Sequence, residues 1–455
     1  MAKSDTTVKM DMTKGNLFKQ ILLFSLPLVA SGILQQSFNA VDVMVVGKFS
    51  SHQALAAVGS NGAIINILIN LFLGVSVGAN VVISNYIGRK NKEGIRKAIA
   101  TVGAFALASG FFLMFTGSIL ARPILEMMNT PADVIDLATK YLKIYFLGMP
   151  FMMAYNFGAA VLRSLGDTKR PFYSLVIAGI VNTVLNLILV IRFGMSVEGV
   201  AIATVTANLI NAAFIVYWLM RESDPYTLDA RKMRIHRAEM KKMLQIGVPA
   251  GLQGVVFSIA NIFIQASINK YGSNAIAGSS AALNYEVYCY FIMTAFCQAA
   301  VAFVSQNYGA GEYDRCRKAF RLCMLMAVVT CGAANMIITF NSRFFMEIFT
   351  SDPTAIEYGT VRLHYVLMLQ FLAASYEVSG SALRGVGYSM TPTVLTIFGT
   401  CVLRLLWIYL VCAHNNSFGL LLSIYPITWV ITGTAVLTAY LLVTKKVYAE
   451  HIRTV

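Results

Sequence analysis

The stretch Ser84–Ala98, SNYIGRKNKEGIRKA, recurs 221 residues later as Ser305–Ala319, SQNYGAGEYDRCRKA, with the serine, the glycine and the final RKA triplet in matching positions. A second pair of segments matches at the same offset. Leu162–Pro171 and Leu383–Pro392 share their opening Leu-Arg, a glycine and the closing proline. Two separate matches at one offset indicate that the chain is built from two related halves.

The composition places most of the chain in lipid. Of the 455 residues, 57% are hydrophobic and 13% are charged, whereas a soluble domain carries about 25% charged residues. Apolar runs such as Val394–Val411 have the length of a membrane-spanning helix, about 20 residues, and lack the alternation over about 10 residues that marks barrel strands. Because the backbone must satisfy its own hydrogen bonds in lipid, we predict an all-α polytopic membrane protein.

The sequence predicts twelve transmembrane helices in two six-helix bundles. Pro27 and Pro249 hold equivalent positions in the first span of each half. An even number of spans per half gives both halves the same orientation, so a pseudo-twofold axis along the membrane normal relates them. We predict an N-terminal lobe at 1–220, a cytoplasmic linker at 221–241 and a C-terminal lobe at 242–455. The predicted spans lie near 17–46, 55–83, 97–121, 134–162, 170–192, 197–220, 242–268, 276–304, 318–341, 356–383, 391–413 and 418–444.

Basic residues predict the orientation in the membrane. Lys and Arg account for the net charge of +15, and they concentrate near the termini and in connections after even-numbered spans, such as 89–97 and 231–242. The positive-inside rule therefore predicts a multi-pass protein of the cytoplasmic membrane with both termini in the cytoplasm. The basic residues form no domain face, so no nucleic-acid partner is expected. The expected partners of this monomer are the lipid bilayer and small organic molecules.

Four ionisable residues remain at membrane depth once the span ends are set aside: Asp42, Glu286, Glu377 and Arg404. Charged groups are costly in lipid and are functional candidates by default. Asp42 lies in the first span, and Gln35 and Asn39 share its helix stripe because the three are spaced four and three residues apart. The alternative interpretation is that Asp42 reaches the interface at the outer end of its span.

Polar side chains of the fifth and sixth spans are the expected partners of Asp42. Asn182 and Asn186 lie one turn apart in the fifth span, and Thr204 lies in the sixth. Carboxamide and hydroxyl oxygens around one carboxylate are hard ligands that suit a proton-binding Asp or Na⁺. Alternatively, the two asparagines bond neighbouring helices, as is common in membrane bundles. We predict that these four residues form the coupling site, with no cofactor and no metal beyond Na⁺ at Asp42.

The second half is predicted to contain an ion pair between Glu377 of the tenth span and Arg404 of the eleventh, since those spans are consecutive. Structural neutralisation of the two charges is the alternative to a functional pair. The predicted substrate cavity comprises six polar residues from both halves: Gln35, Asn39, Asn156, Glu286, Glu377 and Arg404.

Sequence signals of an enzyme are absent. The five histidines lie in loops or near span ends without a metal-ligand spacing, and the seven cysteines show no CxxC motif. No GxxxxGK[ST] motif occurs, so ATP bound to this chain is not expected to drive transport. The energy would come from an ion gradient or from the substrate's own gradient. A duplicated six-helix bundle suits alternating access, which predicts a transporter.

Together these features resemble the multidrug and toxic compound extrusion (MATE) family, from Leu17 to about Lys446. The resemblance implies two six-helix bundles facing each other across a cavity. It also implies export of organic, often cationic and amphipathic compounds in exchange for Na⁺ or H⁺. The residues that carry it are Pro27, FNAVDVMVVGKF at Phe38–Phe49, LRSLGD at Leu162–Asp167, QNYGAG at Gln306–Gly311 and LRGVG at Leu383–Gly387.

One branch of that family has a first-span Asp fifteen residues after a kinking Pro, as Asp42 stands after Pro27, and a cavity-lining Gln that matches Gln35. The resemblance implies that cation loading at Asp42 changes the kink, so that Pro27 acts as a hinge. The branch's fifth-span pattern is Asn-x3-Asp, so Asn186 stands where an acid is expected and the pocket has one negative charge fewer. The second-lobe acids of the other well-known branch are not cleanly matched, since Ala373 stands where the tenth-span Asp is expected.

The predicted function is therefore a secondary active exporter, an antiporter of organic cationic or amphipathic compounds coupled to H⁺ or Na⁺. A dedicated exporter of one endogenous metabolite is an alternative within the same fold. A lipid-precursor flippase of related plan is another, although such proteins tend to have further spans and a strongly cationic cavity. An intramembrane enzyme would need a second catalytic group facing Asp42 or Glu377, and no His or Cys is placed for that.

Overall fold

The computed structural model describes residues 10–128, 130–412 and 417–452, and all regular secondary structure within these ranges is helical. The predicted cytoplasmic location of the termini falls on 1–9 and 453–455, which lie outside the described residues.

In the first half, the described residues form seven α-helices. A π-helical turn at Ile188–Arg192 extends the sixth of them, and a short 3₁₀ turn at Ala230–Lys232 lies in the connection to the second half. The helices are α1 (Leu17–Phe49), α2 (His52–Gly88), α3 (Lys92–Met127), α4 (Ile135–Leu147), α5 (Met149–Ser164), α6 (Lys169–Leu187) and α7 (Val197–Met220).

The described residues of the second half form nine further α-helices, because two spans are interrupted and a short helix lies between two spans. Leu363–Leu367 and Ile397–Val402 are π-helical, and Gln370–Ala373 is a 3₁₀ turn. The helices are α8 (Arg237–Asn269), α9 (Ser273–Gly309), α10 (Tyr313–Phe340), α11 (Ser342–Glu347), α12 (Pro353–Arg362), α13 (Ala374–Gly385), α14 (Met390–Thr396), α15 (Leu403–Leu410) and α16 (Phe418–Ile452).

These helices confirm the predicted all-α membrane fold. Among the described residues, eleven helical stretches are long and apolar enough to cross a membrane, and α4 with α5 makes a twelfth that is bent by 48°. The bend lies at Gly148, and Pro150 follows in the first turn of α5, where it has no N–H to continue the hydrogen bonds of α4 across the break. Each of the twelve predicted spans overlaps one of these stretches.

One face of α3 shows why the solvent of this fold is lipid. Phe111, Phe112, Phe115 and Ile119 lie within two turns of one another and are all exposed, Ile119 by 73%. A soluble protein rarely exposes so large a continuous apolar surface. The surface therefore fits the acyl chains of a bilayer.

The described chain packs as two compact units. Unit 1 contains residues 10–11 and Ala30–Gly247, and unit 2 contains Met12–Val29 and the described residues from Val248 onward. Helices α1 and α8 are each divided between the units beside their proline, Pro27 or Pro249. The lobe boundaries predicted from the sequence follow membrane topology rather than packing, and they stay a prediction.

Glycines allow the start of α8 to pack closely on α2 within unit 1. A Cβ atom on Gly78 would lie 2.2 Å from the carbonyl oxygen of Met243, and one on Gly247 would lie 2.4 Å from the Cα of Val75. No side chain fits at such distances, so the two backbones approach through small residues, as is common between membrane helices.

The substitution Gly78→Val is therefore expected to destabilise unit 1. The new side chain would meet backbone atoms that cannot rotate away, at a cost of about 3 kcal/mol or more. The measurement is the apparent melting temperature of the purified protein in detergent. Gly62→Val is the matched control on the same helix, because a Cβ there meets no atom of the described residues within 4 Å. Equal melting temperatures for both variants would contradict the close packing.

Candidate functional site

Asp42 of α1 is held by the asparagines of α6 in unit 1. The side-chain amide of Asn186 donates a hydrogen bond to Oδ1 of Asp42, and its Nδ2 also lies 3.4 Å from Oδ1 of Asn182. Both asparagines are buried, with 0% and 5% exposure. Their spacing of four residues places them on one face of α6. The structure thus joins three predicted coupling residues in one chain of polar contacts.

The Asn186 side chain brings an unused acceptor into this cluster. Its Oδ1 is buried and has no hydrogen-bond partner among the described residues. A buried polar atom without a partner costs about 1–3 kcal/mol. A carbonyl oxygen beside a carboxylate is a suitable place for a proton donor or a small hard cation.

Two tyrosines of α4, which the sequence analysis missed, lie near this cluster. Tyr141 and Tyr145 stack with ring centroids 6.0 Å apart, and both interact electrostatically with Asp42. Tyr145 also approaches the sulfur of Met152, with its hydroxyl 3.9 Å away. In the sequence their only signal is the spacing of four residues within a predicted span. That spacing does not indicate which neighbouring helix they face.

The other predicted residues of the first half are less closely connected to Asp42. The hydroxyl of Thr204 donates to the backbone oxygen of Val200 at 2.9 Å, and no hydrogen bond between Thr204 and Asp42 is found in the described structure. Gln35 and Asn39 are exposed on α1. The half-buried Asn156 donates to the backbone oxygen of Met152 at 2.9 Å. Their roles stay predictions.

Glu286 of unit 2 forms a buried ion pair with a residue that the sequence analysis missed, Arg362. Two parallel hydrogen bonds join the guanidinium to the carboxylate, from Nε to Oε1 at 2.6 Å and from Nη2 to Oε2 at 2.9 Å. The side chains are only 4% and 8% exposed. Gln370 donates to the backbone oxygen of Glu286 at 3.0 Å. Arg362 lies inside the predicted tenth span. A basic residue at that position was the sign in the sequence that could have identified it as the partner of a buried acid.

The predicted pair between Glu377 and Arg404 is wrong for the described structure. Glu377 accepts a 3.5 Å hydrogen bond from the hydroxyl of Tyr290, and Arg384 is the cation whose charge acts on it. Arg404 instead lies over the ring of Tyr425, with its Cζ 4.3 Å from the ring centroid. Consecutive spans do pack together, but the rotation of each helix about its axis decides which side chains meet. Sequence adjacency does not reveal that rotation.

Removing the acid of the buried pair is expected to destabilise the protein strongly. Glu286→Gln leaves the guanidinium of Arg362 buried without a countercharge, which costs about 3–5 kcal/mol. The readout is the apparent melting temperature in detergent. The double variant Glu286→Gln/Arg362→Met should recover part of the loss, because it leaves no unpaired charge.

A matched control is Glu347→Gln, because Glu347 pairs with Arg343 at the surface, with 51% and 85% of the side chains exposed. This variant should lose only about 0–1 kcal/mol. A loss at Glu286 no larger than the loss at Glu347 would show that the buried pair does not stabilise unit 2.

Comparison with known proteins identifies the family to which this chain belongs. The MatE family model matches residues 27–188 and 249–410, one match in each half, starting at Pro27 and Pro249. The chain belongs to the MatE family. The predicted resemblance is thereby confirmed.

Among curated relatives, this MatE protein is 28% identical over 393 residues to the probable multidrug resistance protein YoeA of Bacillus subtilis (strain 168), with 85% of each chain covered. It is 22% identical over 412 residues to the multidrug export protein MepA of Staphylococcus aureus (strain NCTC 8325 / PS 47), covering 90% of this chain and 89% of MepA.

Solved structures share its fold. An outward-facing multidrug resistance MATE family transporter of the MOP superfamily superposes with a TM-score of 0.88 at 23% identity, over 99% of both chains. A MOP superfamily transporter from Pyrococcus furiosus also gives 0.88, at 22% identity over 98% of this chain and 99% of that one.

Proposed function

We propose that this MatE-family protein is a secondary active exporter of the cytoplasmic membrane that expels organic cationic or amphipathic compounds in exchange for H⁺ or Na⁺. Two relatives, YoeA and MepA, are named for multidrug resistance or export. The duplicated membrane fold suits alternating access. The basic connections at 89–97 and 231–242 favour an orientation with both termini in the cytoplasm.

The observation that carries this proposal is the contact between Asp42 and Asn186. An acid in a membrane span is costly, and here it meets a neutral amide rather than a countercharge. The negative charge is therefore available to a cation. We assign the binding of the coupling ion to this carboxylate.

Loading of Asp42 changes its hydrogen-bonding role. A protonated carboxyl group is a hydrogen-bond donor. If the side-chain amide of Asn186 rotates by about 180°, its unpartnered Oδ1 can accept that hydrogen bond. Na⁺ would instead draw both oxygens toward itself. In either case the present bond from Asn186 to Asp42 is replaced, so the contact between α1 and α6 changes with the ionic state.

The changed contact between α1 and α6 can act on the bend of α1 at Pro27. Helix α1 passes from unit 2 to unit 1 between Val29 and Ala30, within one helical turn of Pro27. A proline inside a helix removes one backbone hydrogen bond and concentrates bending at its position. In our proposal, loading of Asp42 alters the bend at Pro27 and releases the substrate outside.

Replacing the coupling acid is expected to abolish export. Asp42→Asn keeps the size of the side chain and its ability to bond Asn186, but it has no carboxylate to take up H⁺ and no negative charge to attract Na⁺. Efflux of a fluorescent organic cation from cells should fall to the level of cells without the transporter. Membrane expression should be unchanged.

The control for this experiment is Asp136→Asn, the same substitution at an acid of unit 1 that is 79% exposed and pairs with Arg122 at the surface. That variant should export like the wild type. Normal efflux by Asp42→Asn would rule out the mechanism and direct attention to the acids of unit 2.

A further inference from the structure

Arg404 of unit 2 is a buried cation without an acidic partner. Arg404 lies two residues after the π-helical turn Ile397–Val402, in a helical stretch long and apolar enough to span the membrane. Only 2% of its surface is exposed. The described structure gives its guanidinium one hydrogen-bond acceptor, the hydroxyl of Thr428 at 3.4 Å from Nε, and no carboxylate within ion-pair distance. A guanidinium carries five N–H donors, so most of its capacity is unused.

Two aromatic rings lie close to this guanidinium. The Arg404 Cζ lies 4.3 Å from the ring centroid of Tyr425 and 6.0 Å from that of Phe257. A cation–π contact attracts the positive charge but does not accept the N–H bonds as an oxygen would, so the remaining donors of Arg404 stay available. The edge of a guanidinium matches the two oxygens of a planar carboxylate.

Neighbouring charges do not neutralise Arg404. The Cζ of Arg362 also lies 5.9 Å from the ring centroid of Tyr425. Arg362 makes two hydrogen bonds to the carboxylate of Glu286, so the charges of that pair cancel. The remaining acid, Glu377, interacts with Tyr290 and Arg384. The positive charge of Arg404 is therefore left over in the membrane-spanning part of unit 2 that the structure describes. An unpaired charge buried at membrane depth is a candidate functional site.

The internal repeat shows that this charge replaces a neutral group. Pro171 and Pro392 align at an offset of 221 residues. The π-helical turn Ile397–Val402 then adds one residue, so the offset after it is 222 and Arg404 corresponds to Asn182. Asn182 is part of the polar cluster around a carboxylate in unit 1. The equivalent place in unit 2 has a cation instead.

We propose that Arg404 forms an anion-binding site that takes the carboxylate of an aromatic, amphipathic substrate. The guanidinium edge binds the carboxylate, and Tyr425 and Phe257 pack against the apolar part of the compound. This inference rests on the proposed export function and narrows it. Arg404 is the residue that distinguishes compounds that carry a carboxylate from related compounds that lack one.

The test compares two dyes that differ only at the carboxylate: a cationic rhodamine with a free carboxyl group and the methyl ester of the same dye. Their binding to the purified full-length protein in nanodiscs is followed by fluorescence anisotropy. Arg404→Gln should weaken binding of the free acid about tenfold or more, since a partner of a desolvated charge is lost. Binding of the ester should change less than twofold. The ratio of the two dissociation constants is the readout, because a folding defect lowers both affinities alike.

Two further variants keep the result interpretable. Arg404→Lys retains the charge without the planar fork, so it should shift the ratio in the same direction by a smaller factor. It also provides the readout if the Gln variant cannot be purified. Arg343→Gln removes a surface arginine of unit 2 that is 85% exposed, and it should leave the ratio unchanged.

An unchanged ratio in both Arg404 variants, or no binding of the free acid by the wild type, would overturn the proposed site. Failure of the export function has a different signature. A wild-type protein that binds both dyes with the expected dependence on Arg404 but moves neither across a membrane would retain the anion site and refute the exporter.

Discussion

A carboxylate in a membrane span needs a hydrogen-bonding partner from the protein, because lipid offers none. The side-chain amide of Asn186 is that partner for Asp42. The bond joins α1 to α6 without cancelling the negative charge, because the amide is neutral. An arginine at the same place would make a permanent pair, as Arg362 does for Glu286. In the proposed mechanism, the neutral partner leaves the charge of Asp42 available to a cation, and Oδ1 of Asn186, which has no hydrogen-bond partner among the described residues, is the acceptor for the loaded state. Coupling, in this account, depends on a charge that is solvated by the protein but not neutralised.

Duplication supplies two similar helical scaffolds, and their buried charges differ. Unit 1 has a carboxylate among amides, whereas unit 2 has a closed Glu286–Arg362 pair and the unpaired guanidinium of Arg404. A charge buried in lipid is expensive, so both departures from a plain apolar core need a reason. In our proposals, ion binding in unit 1 and recognition of an anionic group in unit 2 give each departure a reason. The two units would then share a helical plan and bind two different ligands through their different buried charges.

The sequence predicts the helices well because a hydrophobic run of about 20 residues has few alternatives in lipid. It also predicts the contact of Asp42 with Asn186, since polar residues one turn apart in an apolar span must face other polar groups. It does not predict the partners of Glu286 and Glu377. Those partners depend on how each helix is rotated about its axis and where it is interrupted, as at the π-helical turn Ile397–Val402. A span that is apolar on all sides has no periodic polar pattern from which that rotation could be predicted. The roles of the exposed Gln35 and Asn39 likewise cannot be read from their helix stripe alone.

The central claim is that Asp42 couples an ion gradient to export. The most direct measurement uses purified protein in proteoliposomes, with a pH gradient or a Na⁺ gradient imposed separately, and follows the movement of a fluorescent organic cation. The account predicts transport by the wild type under one of the two gradients, and none by Asp42→Asn under either. Gradient-driven transport by Asp42→Asn at the wild-type rate would contradict it.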